Sequence, residues 1–118
     1  MNPILRIESG TRMSQAVVAN GFIFLAGQVA DDPSTDVEDQ TRQVFAGIDR
    51  LLAAAGADKR RILTANVYLA DIGDFASMNR AWDAWLDRAH KPARMTIEAK
   101  LVDPRWRVEI TGVALAPR

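Results

Sequence analysis

The chain has 118 residues, 48% of them hydrophobic and 25% charged, which are the length and proportions of a single globular domain over residues 1–118. Its 15 basic and 15 acidic side chains cancel, which disfavours binding to nucleic acid or to an anionic membrane, and no apolar run reaches the roughly 18 residues of a membrane span. The absence of cysteine and the single histidine, His90, exclude thiol chemistry and multi-histidine metal clusters, and the lack of a signal peptide predicts a cytoplasmic protein.

The first part of the chain predicts three strands. A weak alternation of apolar and polar residues indicates the first over residues 3–8. Two β-rich runs, 16–19 and 22–25, flank Asn20-Gly21, and both residues of this dipeptide tolerate positive φ. We therefore predict a two-residue hairpin here, followed by a loop over residues 29–36.

Two amphipathic helices are predicted in the middle of the chain. The first covers residues 37–55, where apolar residues recur at helical spacing, with Asp36 as its N-cap and Gly56 as the residue that ends it. The second begins after an N-cap at Asp74 and runs to about Ala89, again with a stripe of apolar and aromatic side chains.

Three more strands are predicted over residues 62–69, 94–102 and 106–115, with Asp103-Pro104 as the turn between the last two. The complete order of elements is then β-β-β-α-β-α-β-β. Helices separated by single strands favour an α+β fold, a two-layer sandwich in which both helices cover one face of a mixed sheet.

The last two strands contain the candidate catalytic residues, Arg94 and Glu109. Polar and apolar residues alternate in both strands, and the apolar sets suit packing against helices. The polar sets are therefore expected to share the opposite face, which is either a solvated surface or a polar pocket formed where subunits pack. Arginine suits such a pocket because its planar fork binds a carboxylate in a bidentate manner, and a glutamate there could orient or deprotonate a water molecule.

The predicted turn limits how closely these two residues approach each other. A two-residue turn places Glu109 opposite Glu98, which is four residues from Arg94, or about 13 Å along the strand. A longer loop or a bulge would bring them nearer.

Weaker candidates lie elsewhere in the chain. Ser14 and Gln15 precede the hairpin, where a turn role is at least as well supported as ligand binding. Gly27 ends a hairpin strand just before Gln28, and a glycine in this place indicates a bulge or the close approach of another backbone. Asn79 lies beside the apolar stripe of the second helix, from which it either caps a loop or reaches the site.

Blocks of residues spread over almost the whole chain share their order and spacing with one known family. They are Ser14-Gln15-Ala16-Val17-Val18, Gly21 through Val29, Gln40-Thr41-Arg42-Gln43-Val44, Leu52-Ala53-Ala54-Ala55-Gly56, Val67-Tyr68-Leu69-Ala70-Asp71, Asp74-Phe75 with Asn79, Pro92-Ala93-Arg94 and Val108-Glu109-Ile110. On these blocks the chain resembles the Rid family, the reactive intermediate deaminases, also called the YjgF or L-PSP family. The resemblance implies a chorismate-mutase-like fold assembled as a homotrimer, with clefts between neighbouring subunits that bind a small carboxylate metabolite. It also implies hydrolysis of reactive enamines and imines, such as 2-aminoacrylate, to 2-keto acids and ammonia, without a cofactor or metal.

The resemblance also implies a role for individual residues. Arg94 matches the arginine that binds the substrate carboxylate, and Glu109 matches the glutamate that positions the attacking water. Thr96 stands where many members have cysteine, with its backbone groups facing the imine. Gly27-Gln28 matches the end of the hairpin strand, and Asn79 matches a helix asparagine that borders the cleft.

Three departures from the family pattern concern the walls of the cleft. Met13 stands where many members have tyrosine, Ala26 where many have serine, and Thr96 where many have cysteine. The loss of two polar contacts favours a larger or less polar substrate side chain than that of 2-aminoacrylate. Two alternatives stay open: a trimer that binds metabolites or acts like a chaperone without turnover, and the endoribonuclease of the family's older name, against which the neutral charge and single histidine weigh.

Overall fold

The order of elements in the structure, a computed structural model that describes residues 3–117, is β-β-β-α-β-α-β-β. The strands are β1 (Leu5–Ser9), β2 (Ser14–Ala19), β3 (Phe22–Gln28), β4 (Ile62–Leu69), β5 (Ala93–Glu98) and β6 (Val108–Leu115). The helices are α1 (Val37–Ala54) and α2 (Phe75–Trp85), and one short 3-10 turn precedes each of β4 and α2. Both helices pack on one mixed sheet, which confirms the predicted α+β class and the order of elements.

The six strands pair in the order β1-β2-β3-β6-β4-β5. β4 and β5 are parallel because α2 crosses between them, and every other neighbouring pair is antiparallel. β6 therefore lies in the middle of the sheet, between β3 and β4. The predicted two-residue turn at Asp103-Pro104 is wrong: residues 99–107 form a longer connection that carries the chain from the edge strand β5 past β4.

Local signals in the sequence account for the hairpin and for both ends of α1. Asn20 and Gly21 have φ of 51° and 82°, the conformation that a two-residue hairpin requires, and they join β2 to β3 as predicted. The Asp36 carboxylate accepts a hydrogen bond of 2.9 Å from the amide of Asp39 and so caps α1. Gly56, with φ of 78°, follows the end of the helix.

Both ends of α2 differ from the prediction. Asp74 is at the N-cap position, but its carboxylate makes no capping hydrogen bond and instead forms an ion pair of 2.6 Å with Arg107. The helix ends at Trp85, short of the predicted Ala89, because Leu86 is extended, with φ of −59° and ψ of 136°. The Asp87 carboxylate then caps the following turn, as short acidic side chains often do.

The hydrophobic core lies between α1, α2 and the face of the sheet that they cover, here called the helix face. Full burial of each aliphatic side chain contributes about 1.5–3 kcal/mol. The predicted stripe of α1 is buried in this core together with alternate residues of the central strands: Val44, Ile48, Leu51, Leu52, Ile23, Val67 and Ile110. No helix within residues 3–117 is long and apolar enough to span a membrane.

The opposite face of the sheet, here called the open face, is also largely apolar. Phe24 is 46% exposed there and Met95 is 42% exposed, and Phe22 and Ile97 are similarly uncovered. Exposed apolar residues grouped on one surface mark contacts with other protein chains. The open face of a single chain is therefore a candidate subunit interface.

Candidate active site

The polar residues of β5 lie on the helix face, which is opposite to the prediction. Arg94 pairs in parallel register with Ala65, whose side chain is buried beneath the helices, and Thr96 follows on the same side. Met95 and Ile97 accordingly face the open side. The prediction failed because apolar residues occupy both faces of this sheet, so the alternation within β5 does not determine which set meets the helices.

The guanidinium of Arg94 lies against α2. Its Nη1 donates a hydrogen bond of 2.8 Å to Oδ1 of Asn79, and its Cζ is 4.7 Å from the ring centroid of Trp82 and 5.7 Å from that of Phe75. Partial burial lowers the pKa of Arg94 from its ordinary value, an effect opposed by the nearby Asp83 carboxylate. An arginine remains a cation after such a change, so the aromatic faces and the amide hold a positively charged fork in one orientation.

Arg94 is the one half-buried arginine of residues 3–117 that has no carboxylate partner; the others without one, Arg6, Arg12, Arg61 and Arg88, are exposed to solvent. Within residues 3–117 no carboxylate lies within ion-pair distance of Arg94, whose one side-chain acceptor is the neutral amide of Asn79. Carboxylate partners are instead found for Arg42, Arg50, Arg60, Arg80, Arg105 and Arg107. The remaining N–H groups of Arg94 are thus available to an anion from outside the chain.

Thr96 lies two residues along β5 from Arg94, on the same face. Its Oγ1 is the one buried side-chain polar atom of the described residues that has no hydrogen-bond partner. Buried polar groups are nearly always satisfied, so a hydroxyl without a partner, on the same strand face as a guanidinium without an ion-pair partner, indicates that this site is incomplete in a single chain. We refer to Arg94, Asn79, Thr96 and Trp82 as the arginine half-site.

Glu109 stands on the open face, in the middle of the sheet. It pairs with Tyr68 of β4, and on its other side its carboxylate packs against Gly27 of β3. A Cβ atom added to Gly27 would lie 2.8 Å from Cδ of Glu109, closer than real Cβ atoms approach. The strand register also shifts between Leu25 and Gln28, which confirms the bulge predicted from Gly27, although the group that approaches it is a side chain.

Three of the other predicted site residues, Met13, Gly27 and Gln28, line one groove of about 390 Å³. Gln28 is buried and its Nε2 donates to Oε1 of Gln15 at 3.0 Å and to the carbonyl oxygen of Ala26 at 3.1 Å. Met13 is 49% exposed and supplies an apolar wall. Gly27 connects this groove to Glu109, whereas Gln28 pairs with Ile110 and therefore lies on the helix face. We call Met13, Ala26, Gly27, Gln28 and Glu109 the glutamate half-site.

The two half-sites of one chain do not meet. Arg94 of β5 and Gly112 of β6 both pair with Ala65 of β4, which lies between them. Gly112 is three residues from Glu109 along β6. That offset is about 10 Å, and the two strand spacings across β4 add about 9.6 Å in the perpendicular direction, so the Cα atoms are about 14 Å apart. The side chains also point to opposite faces of the sheet. The sequence-based expectation that Arg94 and Glu109 share a face is therefore wrong for a single chain.

Sequence reasoning missed the contacts of Arg94 with α2. Trp82 is buried, as its assignment to the core requires, but its ring also stacks on the guanidinium. The spacing of residues in the sequence could have indicated these contacts. Phe75 and Trp82 are four residues before and three residues after Asn79, so all three share one side of the helix. Within residues 3–117 no three His, Asp or Glu side chains are grouped so that they could bind a metal ion.

Both half-sites lie within the part of the chain that matches a known protein family. Residues 4–116 match the family described as endoribonuclease L-PSP. A RutC family protein of Haemophilus ducreyi is 48% identical over 111 residues, covering 94% of this chain and 95% of the relative. The RutC family protein YoaB of Escherichia coli is 41% identical over 111 residues, covering 94% of this chain and 96% of the relative.

Solved structures agree in fold as well as in sequence. NMB1025 from Neisseria meningitidis, described as a member of the YjgF protein family, has a TM-score of 0.95 and 45% identity, over 98% of this chain and 97% of that one. YyfA from Yersinia pestis, described as a protein of unknown function of the Rid family, has a TM-score of 0.85 and 29% identity, over 92% of this chain and 90% of that one.

Proposed function

Because the chain belongs to the endoribonuclease L-PSP family, which includes the YjgF, RutC and Rid proteins, we propose that it hydrolyses 2-imino acids to 2-keto acids and ammonia. The proposal depends mainly on the partners of the Arg94 guanidinium. Its charged fork is held by Asn79 and Trp82 but paired with no carboxylate of residues 3–117. A substrate carboxylate is the complementary group, because it accepts two parallel N–H donors from a guanidinium.

The reaction that we propose needs orientation and proton transfer. Arg94 binds the substrate carboxylate, and Glu109 orients a water molecule towards the carbon of the protonated imine. As the O–C bond forms, the electrons of the C=N bond move to nitrogen and Glu109 takes a proton from the water. The carboxyl group then returns this proton to nitrogen and the C–N bond breaks. As ammonia leaves, the Glu109 carboxylate takes the proton of the remaining hydroxyl, whose oxygen becomes the keto oxygen, and this proton departs with ammonia as ammonium. Proton transfer by one positioned group contributes about 10²–10⁴-fold to such a rate.

We propose further that each site is shared between two copies of a homotrimer. Arg94 and Glu109 lie on opposite faces of one sheet, so Glu109 of one copy has to meet Arg94 of the next. The apolar open face supports this arrangement, because its exposed residues, among them Phe24 and Met95, need a protein partner. The position of β5 at the edge of the sheet also supports it, because an edge strand is accessible to a neighbouring chain.

The residues that line the glutamate half-site indicate which substrate side chains the protein prefers. Met13 presents a flexible thioether and Ala26 a methyl group in place of the hydroxyls that many family members carry. We propose that 2-imino acids with larger, less polar side chains are better substrates than 2-aminoacrylate.

A trapping assay tests the activity. An amino-acid oxidase generates the 2-imino acid in solution, and semicarbazide traps the imine that is left. An active protein lowers the yield of semicarbazone, and the variants Arg94→Ala and Glu109→Gln should restore it, whereas the exposed Arg88→Ala should behave as wild type. If no imino acid disappears faster with the wild-type protein, deamination is rejected. Calorimetric binding of a 2-keto acid that depends on Arg94 would then favour the non-catalytic alternative.

Mixing of two inactive variants tests whether the site is shared. Every mixed trimer of Arg94→Ala and Glu109→Gln chains has one site in which both residues are intact, if each site takes them from adjacent copies. Equal, random mixing gives three mixed trimers in four, so the activity recovers to about a quarter of the wild-type value. A site formed within a single chain would give no recovery at all.

A further inference from the structure

Gln40 is a buried polar residue of α1 that makes hydrogen bonds to two other parts of the chain. Its side chain is 0% exposed. Nε2 lies 3.0 Å from the carbonyl oxygen of Pro33 and 3.1 Å from those of Thr35 and Arg105, and Oε1 accepts a hydrogen bond of 2.9 Å from the amide of Arg107. One amide group thus joins α1 to the loop before it and to the segment that leads into β6.

These contacts allow one orientation of the amide. Two N–H groups serve three carbonyl oxygens, so one of them is shared, and the oxygen faces an N–H donor. A flipped amide would set its oxygen against three carbonyl oxygens and its N–H groups against another N–H. Gln40 binds the carbonyl of residue 105 and the amide of residue 107 as a neighbouring β-strand would, and so extends the hydrogen bonding of the sheet just before β6 begins.

The segment held by Gln40 leads directly to the glutamate half-site. Arg107 is two residues before Glu109, and β6 begins between them at Val108. The side chain of Arg107 is itself held by its ion pair with Asp74 at the start of α2. Backbone and side chain of this residue are therefore both anchored, which fixes the point from which Glu109 projects over the bare surface of Gly27.

We propose that Gln40 is a positioning residue for the hydrolysis: its side-chain amide sets the start of β6 and thereby the placement of the Glu109 carboxylate. This inference rests on the proposed function for its kinetic effect, but its structural part can be measured without any activity. Gln40 does not contact the substrate. It acts through the peptide groups of Arg105 and Arg107.

The test compares Gln40→Met with a matched control on the neighbouring residue, Thr41→Val. Thr41 is equally buried, and its Oγ1 donates to the carbonyl oxygen of Val37 within the same helix, without any link to β6. We expect Gln40→Met to lower kcat about tenfold to hundredfold, the cost of a misplacement near 1 Å, with KM within about threefold because the arginine half-site is intact. Thr41→Val should be less stable than wild type with an unchanged kcat.

A second variant and a second measurement keep the inference testable if Gln40→Met does not fold or if the protein deaminates no imine. Gln40→Glu retains an oxygen towards the Arg107 amide and should have an intermediate kcat. Amide hydrogen exchange at Arg107 and Glu109 should accelerate about tenfold or more in Gln40→Met and by a smaller factor in Gln40→Glu, with exchange in β2 unchanged. An unchanged kcat in an active, folded Gln40→Met, or unchanged exchange at Arg107 where no activity exists, would overturn the inference.

Discussion

Replacing Gly27 by alanine should displace the Glu109 carboxylate while leaving the fold intact. The added methyl group would stand 2.8 Å from Cδ and 3.2 Å from Cγ of Glu109, and closer still to Oε2. To reach an ordinary contact of 3.4 Å, Cδ has to withdraw by at least 3.4 − 2.8 = 0.6 Å, and the oxygen by more. The obstacle is the end of a flexible side chain, so Glu109 rotates away at a cost of about 0.5–1.5 kcal/mol in free energy of unfolding.

The effect on catalysis should be much larger than the effect on stability. A misplacement near 1 Å costs about 100-fold in rate, or about 2.7 kcal/mol of transition-state stabilisation. We expect the kcat/KM of Gly27→Ala in the semicarbazide assay to fall by this factor. Gly47→Ala is the matched control, because its Cβ meets only ordinary contacts, 3.6 Å to Oε1 of Gln28 and 3.8 Å to Nη1 of Arg50, and none with Glu109, and because alanine within a helix is favourable.

A double-mutant cycle shows whether Gly27 acts through Glu109. If it does, adding Gly27→Ala to Glu109→Gln should reduce kcat/KM little further, because the displaced carboxylate is already gone. Equal effects of Gly27→Ala in the presence and absence of the carboxylate would refute the reasoning, as would a wild-type kcat/KM in the single variant.

Three further predictions concern the arginine half-site, the assembly and the surface charges. Arg94→Lys loses the planar fork and the bond to Asn79, so steady-state kinetics should show KM for the imino acid raised about tenfold or more, and an unchanged KM would contradict the carboxylate clamp. Phe24→Glu places a charge on the open face, so sedimentation should give a mass near 13.0 kDa in place of the roughly threefold mass of the proposed trimer; a mass equal to that of wild type would argue against this interface. The hydrogen bond from Arg60 lowers the pKa of Asp58 from 3.8 to about 2, so the carboxylate contributes stability above pH 3.8 that is lost as the pH falls towards 2. The difference in urea midpoint between wild type and Asp58→Asn should therefore vanish over this range, and a difference that is independent of pH would exclude the pairing as its cause.

Elements whose signals are local could be predicted from the sequence. The hairpin depends on two adjacent residues, Asn20 and Gly21, that both adopt positive φ. α1 depends on a cap at Asp36 and on a stripe of apolar residues within one helix. Gly27 likewise predicted the bulge correctly. A glycine weakens the interior of a strand and is typical of places where the strand bends or another group approaches closely.

Relations between distant elements could not be predicted. No local feature of residues 99–107 indicates that β6 inserts between β3 and β4, because strand pairing depends on loop closure and on burial across the whole sheet. The side of the sheet to which Arg94 points was wrongly predicted for a related reason. With apolar residues on both faces, only the crossover through α2 determines the orientation of β5, and the stacking of Arg94 on Trp82 follows from that crossover.

The central position of β6 has a consequence for the order in which the protein folds. Before β6 is in place, β1-β2-β3 is one meander and β4-α2-β5 is a separate unit, and no strand pairing connects them. Pairings of such high sequence separation form slowly, so joining the two units is expected to limit the folding rate. Glu109 arrives on the strand that joins them. A nascent or partly folded chain can thus acquire the arginine half-site early, but the proposed hydrolytic group is assembled only when folding is nearly complete.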